Sequence, residues 1–176
     1  MELALSVLVT SVVLCAAVTD WRWHKIPNIL TFPAMLTGVI GHTLMHGASG
    51  FLFSAEGLFL GIGLLLGFYM LGGMAAGDVK LLGAVGAFLG PMDVFLVFLM
   101  TALLGGVYAI GMMIHHAGIK GTFCWIGLIG KTLLLTGKVR VAFADSSSSS
   151  QPKLRYGLVI ALGTLTYKAW YWLGIA

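Results

Sequence analysis

A chain of 176 residues in which 59% are apolar and only 9% charged cannot clothe a water-facing surface, because a soluble domain carries roughly a quarter charged residues. The mean hydropathy of +1.01 excludes an ordinary soluble enzyme and points to a polytopic membrane protein whose apolar side chains meet lipid directly. A net charge of +4 does not make the chain a nucleic-acid binder, because its basic residues fall in short loops between apolar runs.

The first apolar run covers about residues 3–18. Its leading residues, Met1-Glu2-Leu3, hold no Lys or Arg, so it reads as a retained first span and not a cleaved leader. Cys15 lies inside it without a lipoprotein box, and Cys124 lies in another apolar run. Neither belongs to a CxxC pair, and both are expected to be small buried hydrophobes. After Asp20, Trp21, Arg22, Trp23, His24 and Lys25, a second run covers about 29–46 and a third about 56–74, with Glu56 expected at its start. A fourth covers 76–90, opened by Ala75-Ala76-Gly77-Asp78-Val79-Lys80, and a fifth covers 92–114, behind the Gly90-Pro91 turn and Asp93. The shorter runs reach only about 22–24 Å at about 1.5 Å per residue, so interfacial residues must complete their crossings.

Segment 122–136 is apolar but interrupted by Gly127, Gly130 and Lys131. If it does not cross, Arg22, Lys25, Lys80, Lys120, Lys131, Lys138, Arg140, Lys153 and Arg155 share one side of the membrane. The opposite loops, near 47–55 and at Gly90-Pro91, hold no Lys or Arg, so the basic side is cytoplasmic. The expectation is therefore an all-α fold of about six transmembrane helices plus one interfacial or re-entrant segment, with residues 1–176 forming a single membrane domain. Ser146–Ser150 reads as a linker. The last run, 156–174, ends in Tyr167, Trp170, Tyr171 and Trp172, read as an interfacial aromatic belt around Lys168. The GxxxG pairs Gly57/Gly61, Gly63/Gly67 and Gly86/Gly90 are expected at close helix contacts.

Six acidic residues leave few places for chemistry. Glu2 and Asp145 are peripheral, while Glu56 and Asp93 suit the positive ends of helices. Asp20 and Asp78 end and begin spans at the same, cytoplasmic depth. Carboxylates at a membrane edge are costly and are candidate functional groups. Two in a dehydrated cleft can share a proton, one activating water while the other polarises a carbonyl. Gly77 permits close approach of backbone or substrate. Three readings fit these residues: an aspartyl dyad, a proton- or ion-coupled transporter using the same carboxylates, or structural roles, with Asp20 paired to Arg22 or Lys25 and Asp78 paired to Lys80 or capping its helix. A transporter more often carries its charges near the midplane and shows inverted repeats. His24, His42, His46, His115 and His116 have no shared ligand spacing, and no P-loop or Rossmann pattern occurs.

Asp20 through Ile26-Pro27-Asn28, together with Gly77-Asp78-Val79-Lys80-Leu81-Leu82, resembles the two active-site signatures of the type IV prepilin peptidases, bacterial GxGD-type membrane aspartyl proteases. Arg155-Tyr156-Gly157 is similar to a third segment of that family, Pro-Tyr-Gly before the last span. The resemblance implies catalytic roles for Asp20 and Asp78, with Gly77 shaping the site and Lys80 setting the local field or anchoring to lipid phosphate. It implies an aspartic endopeptidase of the bacterial inner membrane with its site facing the cytoplasm. The substrate would be a prepilin-like protein with a single hydrophobic helix. No metal, cofactor or nucleic acid is implied. Two departures stand out. Ala75 replaces the first glycine of GxGD, and the first two spans are joined by about ten residues without the CxxC-bearing domain of the larger forms. The chain thus resembles the short form serving tight-adherence (Flp-type) pili, with methyltransferase activity left open.

Overall fold

The computed structural model describes the backbone of residues 2–71, 73–136 and 156–174, and the side chains of these except Glu2, Met113 and 116–136. The expectations for Lys138, Arg140, Asp145, Ser146–Ser150, Lys153 and Arg155, and for the side chains of Lys120, Cys124 and Lys131, lie outside the described residues. Among the described residues all regular structure is helical: α1 (Glu2–Trp23), α2 (Asn28–Met70), α3 (Ala76–Leu89), α4 (Pro91–Thr136) and α5 (Tyr156–Trp172).

The joints follow from local chemistry. α1 stops where His24 takes a left-handed φ of 52°, and Pro27, extended at φ −70°, ψ 140°, leads into α2. Within α2 the chain leaves helical dihedrals at Gly47 (φ 62°, ψ −137°), a conformation open to glycine because it has no Cβ. Gly50 then packs directly on the His42 carbonyl, so α2 is two limbs, 28–46 and 48–70, folded at one residue. The expected loop at 47–55 is therefore a kink, and Glu56 lies exposed within the second limb instead of opening it.

α3 is the axis of the molecule. It is only 14 residues long, about 21 Å, yet Leu81, Leu82, Ala84, Val85 and Ala87 are all fully buried. A helix apolar on every face belongs inside others. The first limb of α2 runs in step with it: Asn28 meets Lys80, Met35 meets Gly83, and Gly38 meets Ala87. The second limb runs opposite: Ser54 meets Ala87, Gly57 meets Gly86, and Gly61 meets Leu82. A Cβ on Gly57 or Gly86 would collide with the other's carbonyl, so two of the expected GxxxG pairs bring α2 and α3 together. Gly63 and Gly67 face open space and play no part in this packing.

α5 runs opposite to α1, with Lys168 at Ser6 and Leu158 at Asp20. It also runs opposite to α4, with Gly163 on Thr101 and Val159 on Gly105. The bundle therefore has two ends. One gathers Asp20, Ile26, Gly77, Asp78 and Tyr156–Leu158. The other gathers Ser6, His42, Ser54, Phe88, Asp93 and Tyr167–Lys168.

Length and composition qualify Leu3–Trp23, Asn28–Met70 and Pro91–Met112 as candidate membrane spans. Large apolar side chains such as Leu3, Ile29, Phe59, Leu103 and Val107 point outward, which suits a lipid surround. Other expectations are corrected. α4 runs 46 residues, about 69 Å, without a break before 122–136. Cys15 is exposed on the outer face of α1. Tyr167 is buried in the core, not in an outer belt, although Tyr171 and Trp172 are exposed.

Candidate active site

Asp78 is the third residue of α3, following Ala75, which caps the helix with extended backbone at φ −85°, ψ 152°. That conformation needs no glycine, so the replacement of the first glycine of the signature by Ala75 is tolerated locally. The Asp78 Oδ2 accepts the Ala75 N–H at 3.2 Å, while its own N–H donates to the Ala75 carbonyl at 3.1 Å. This is the carboxylate half of a capping box. Being the innermost helix, α3 carries Asp78 inward with it, and the side chain is 5% exposed.

Asp20 reaches the same place from α1, one turn before the helix ends, and is 7% exposed. Its Oδ2 accepts the N–H of Leu158, in the first turn of α5, at 3.3 Å. The charge of Asp20 also acts on Asp78 across the space between them. Among the described residues each carboxyl group thus commits one oxygen to a backbone N–H, at the start of α5 or of α3, where the helix dipole favours an anion. These bonds among the described residues use only part of each group's capacity, since an ionised carboxylate offers about four lone-pair sites.

Ile26 is the spacer between these elements. A Cβ on Gly77 would lie 3.1 Å from the Ile26 Cβ, and one on Gly157 would lie 2.9 Å from its Cδ1. The stretch between α1 and α2 therefore wedges an apolar side chain between the first turns of α3 and α5. Gly77 is what lets that wedge sit close, a contact with the chain's own Ile26.

Lys80 turns away from the aspartates. Its Nζ donates to the Asn28 Oδ1 at 2.9 Å and stands 4.9 Å over the Phe32 ring, a cation–π geometry. The lysine of the second signature is thereby tied to the asparagine of the first, 52 positions earlier in the chain. Arg22 lies 5.8 Å over the Trp23 ring. All four residues singled out from sequence, Asp20, Gly77, Asp78 and Lys80, are at this end of the bundle. Sequence reasoning missed Ile26 as the wedge and the Leu158 N–H as a partner of Asp20. The tyrosine–glycine pair at 156–157 was the only signal for the latter. Among the described residues, no three His, Cys, Asp or Glu side chains are grouped as they would be around a metal ion.

A model of the type IV leader peptidase family matches residues 7–110, a stretch that includes both aspartates and the Asn28–Lys80 pair. Comparison with curated proteins and with solved structures finds no match.

Proposed function

The chain belongs to the type IV leader peptidase family, and from that premise we propose that it is a membrane-embedded aspartic endopeptidase using Asp20 and Asp78. The observation that carries this reading is the convergence of two buried carboxyl groups from different helices, each with an oxygen fixed by one backbone N–H. In the proposed mechanism the pair works with one proton between them, one carboxyl group ionised and the other protonated. The ionised member takes a proton from water as the water oxygen attacks the scissile carbonyl carbon. The protonated member gives its proton to the carbonyl oxygen. The tetrahedral species, now a gem-diol, collapses as the C–N bond breaks: the proton gained from water passes to the departing amine, and one hydroxyl returns its proton to the carboxylate that had donated to the carbonyl oxygen. No cofactor takes part.

The substrate in this reading is a prepilin-like protein of the Flp type, with a short basic leader followed by one apolar helix. In this reading the two limbs of α2 cross separately, six crossings are made in all, and the basic loops put the aspartates at the cytoplasmic face of the inner membrane. The cleavage point then lies level with them, just inside that face. Only His24–Pro27 separates α1 from α2, so the proposed activity is leader cleavage without methyl transfer.

Co-expression with a Flp-type prepilin, followed by gel mobility of the leader, tests the proposal. Wild-type protein should convert the precursor, and Asp20→Asn or Asp78→Asn should leave it uncut while still accumulating in the membrane. Processing by either variant at the wild-type rate would remove the aspartyl mechanism.

A further inference from the structure

The family match ends at residue 110, yet Asp20 is hydrogen-bonded to a segment far beyond it. We infer that the first turn of α5, Tyr156-Gly157-Leu158, is a positioning element that sets the orientation of the Asp20 carboxyl group for peptide cleavage. This inference rests on the peptidase reading above and deepens it.

Three observations carry it. The Leu158 N–H is one of the donors that a helix start leaves without an intrahelical partner, and it is given to the Asp20 Oδ2 at 3.3 Å. This bond fixes which oxygen of Asp20 faces α5 and which is left for water. Gly157 makes the approach possible. A Cβ there would lie 3.0 Å from the Asp20 Oδ2, 3.1 Å from the Asp20 Cβ and 2.9 Å from the Ile26 Cδ1. Residue 157 is buried, so no side chain can swing outward to relieve that crowding. Finally, the Tyr156 phenol lies within electrostatic range of Asp78. One helical turn therefore contacts Asp20 through a backbone N–H and lies near enough to Asp78 for their charges to interact.

The rest of α5 shows why this turn can serve as a fixed reference. Gly163 packs against Thr101 of α4, and Lys168 is bonded to Ser6 and Thr10 of α1. The helix is held along its length by the neighbours that flank the site. An N–H on such a helix is preorganised and needs no ordering when substrate arrives.

Proline at position 158 removes the N–H together with the leucine side chain, and the first helical turn is where proline is best tolerated. Leu158→Pro and the control Leu158→Ala, which keeps the N–H, are to be purified in lipid and assayed on a prepilin peptide. Leu158→Pro should lower kcat roughly tenfold to a hundredfold, the worth of one hydrogen bond to a charged group. KM should be unchanged, and Leu158→Ala should stay within about threefold of wild type. Gly157→Ala should show the same fall in kcat at constant KM, and it decides the matter if Leu158→Pro does not accumulate. A merely structural role for the turn would instead lower yield, or raise KM, equally in Leu158→Ala. Wild-type kcat in Leu158→Pro, or in Gly157→Ala where the proline variant is absent, overturns the inference while leaving the peptidase reading intact. Loss of cleavage by the wild-type protein itself would defeat the peptidase reading first.

Discussion

The two ends of this bundle handle polar groups in opposite ways. At the end remote from Asp20 and Asp78, side chains are spent on cross-links between helices. Lys168 of α5 donates to the Ser6 carbonyl and the Thr10 hydroxyl of α1. Tyr167 bonds to Asp93 of α4. The Ser54 hydroxyl donates to the Ala87 carbonyl at 2.6 Å, and His42 Nε2 lies 2.8 Å from the Phe88 carbonyl. These last two satisfy carbonyls that the end of α3 would otherwise leave open. At the other end, among the described residues, two acids are buried with one backbone N–H apiece, and Lys80 is turned to an asparagine. The first arrangement joins helices that lipid alone would not drive together. The second leaves charge and lone pairs available for a reaction. The same residue type, aspartate, does structural work at Asp93 and is proposed to do chemistry at Asp20 and Asp78.

The comparison can be broken most completely by topology. In a variant without Cys15 and Cys124, a cysteine at Ser49 should react with an impermeant maleimide from outside intact cells. A cysteine at His24 should react only after the inner membrane is breached. Equal labelling of both from outside would abolish the assignment of the two ends to opposite faces.

The next effect is on stability. Tyr167→Phe deprives Asp93 of its hydroxyl partner, and Lys168→Met removes the link between α5 and α1. Each should cost about 0.5–2 kcal/mol, the range for polar contacts between membrane helices. This should appear as earlier unfolding in a denaturant titration, with the cleavage rate per folded molecule held within about threefold. A fall in rate of a hundredfold without loss of stability would mean that the far end is not merely structural. Smaller still, Lys80→Met should slow cleavage about threefold to tenfold by releasing Asn28, and Glu56→Gln, exposed on the second limb of α2, should leave both rate and stability unchanged.

Much of the helical class was legible in the sequence, because a chain this poor in charge has few alternatives. That Asp20 and Asp78 lie at the same end of the bundle was legible too, from the basic loops that set the depth of their spans, and so was helix capping by Asp78. The turn at Gly47 was not, since a reversal made by one glycine needs no polar loop to announce it. The length of α4 was hidden for the converse reason. Gly127 and Gly130 each cost a helix only about 1 kcal/mol relative to alanine, too little to end it. Composition alone also misplaced Cys15 and Tyr167, because it does not say which face of a helix a residue occupies. The Leu158 N–H, 138 positions from Asp20, belongs to the backbone, which carries no residue-type signal.

The account turns on Asp20 and Asp78 working as one unit, and the direct test is the double-mutant cycle in purified, lipid-embedded protein. Cleavage of a prepilin peptide would be followed for the wild type, Asp20→Asn, Asp78→Asn and the double variant. Groups that act as a unit are strongly non-additive. Each single variant should lose several orders of magnitude in kcat, and the double variant should be within about tenfold of either. Two modest losses that multiply in the double variant would contradict a shared-proton pair.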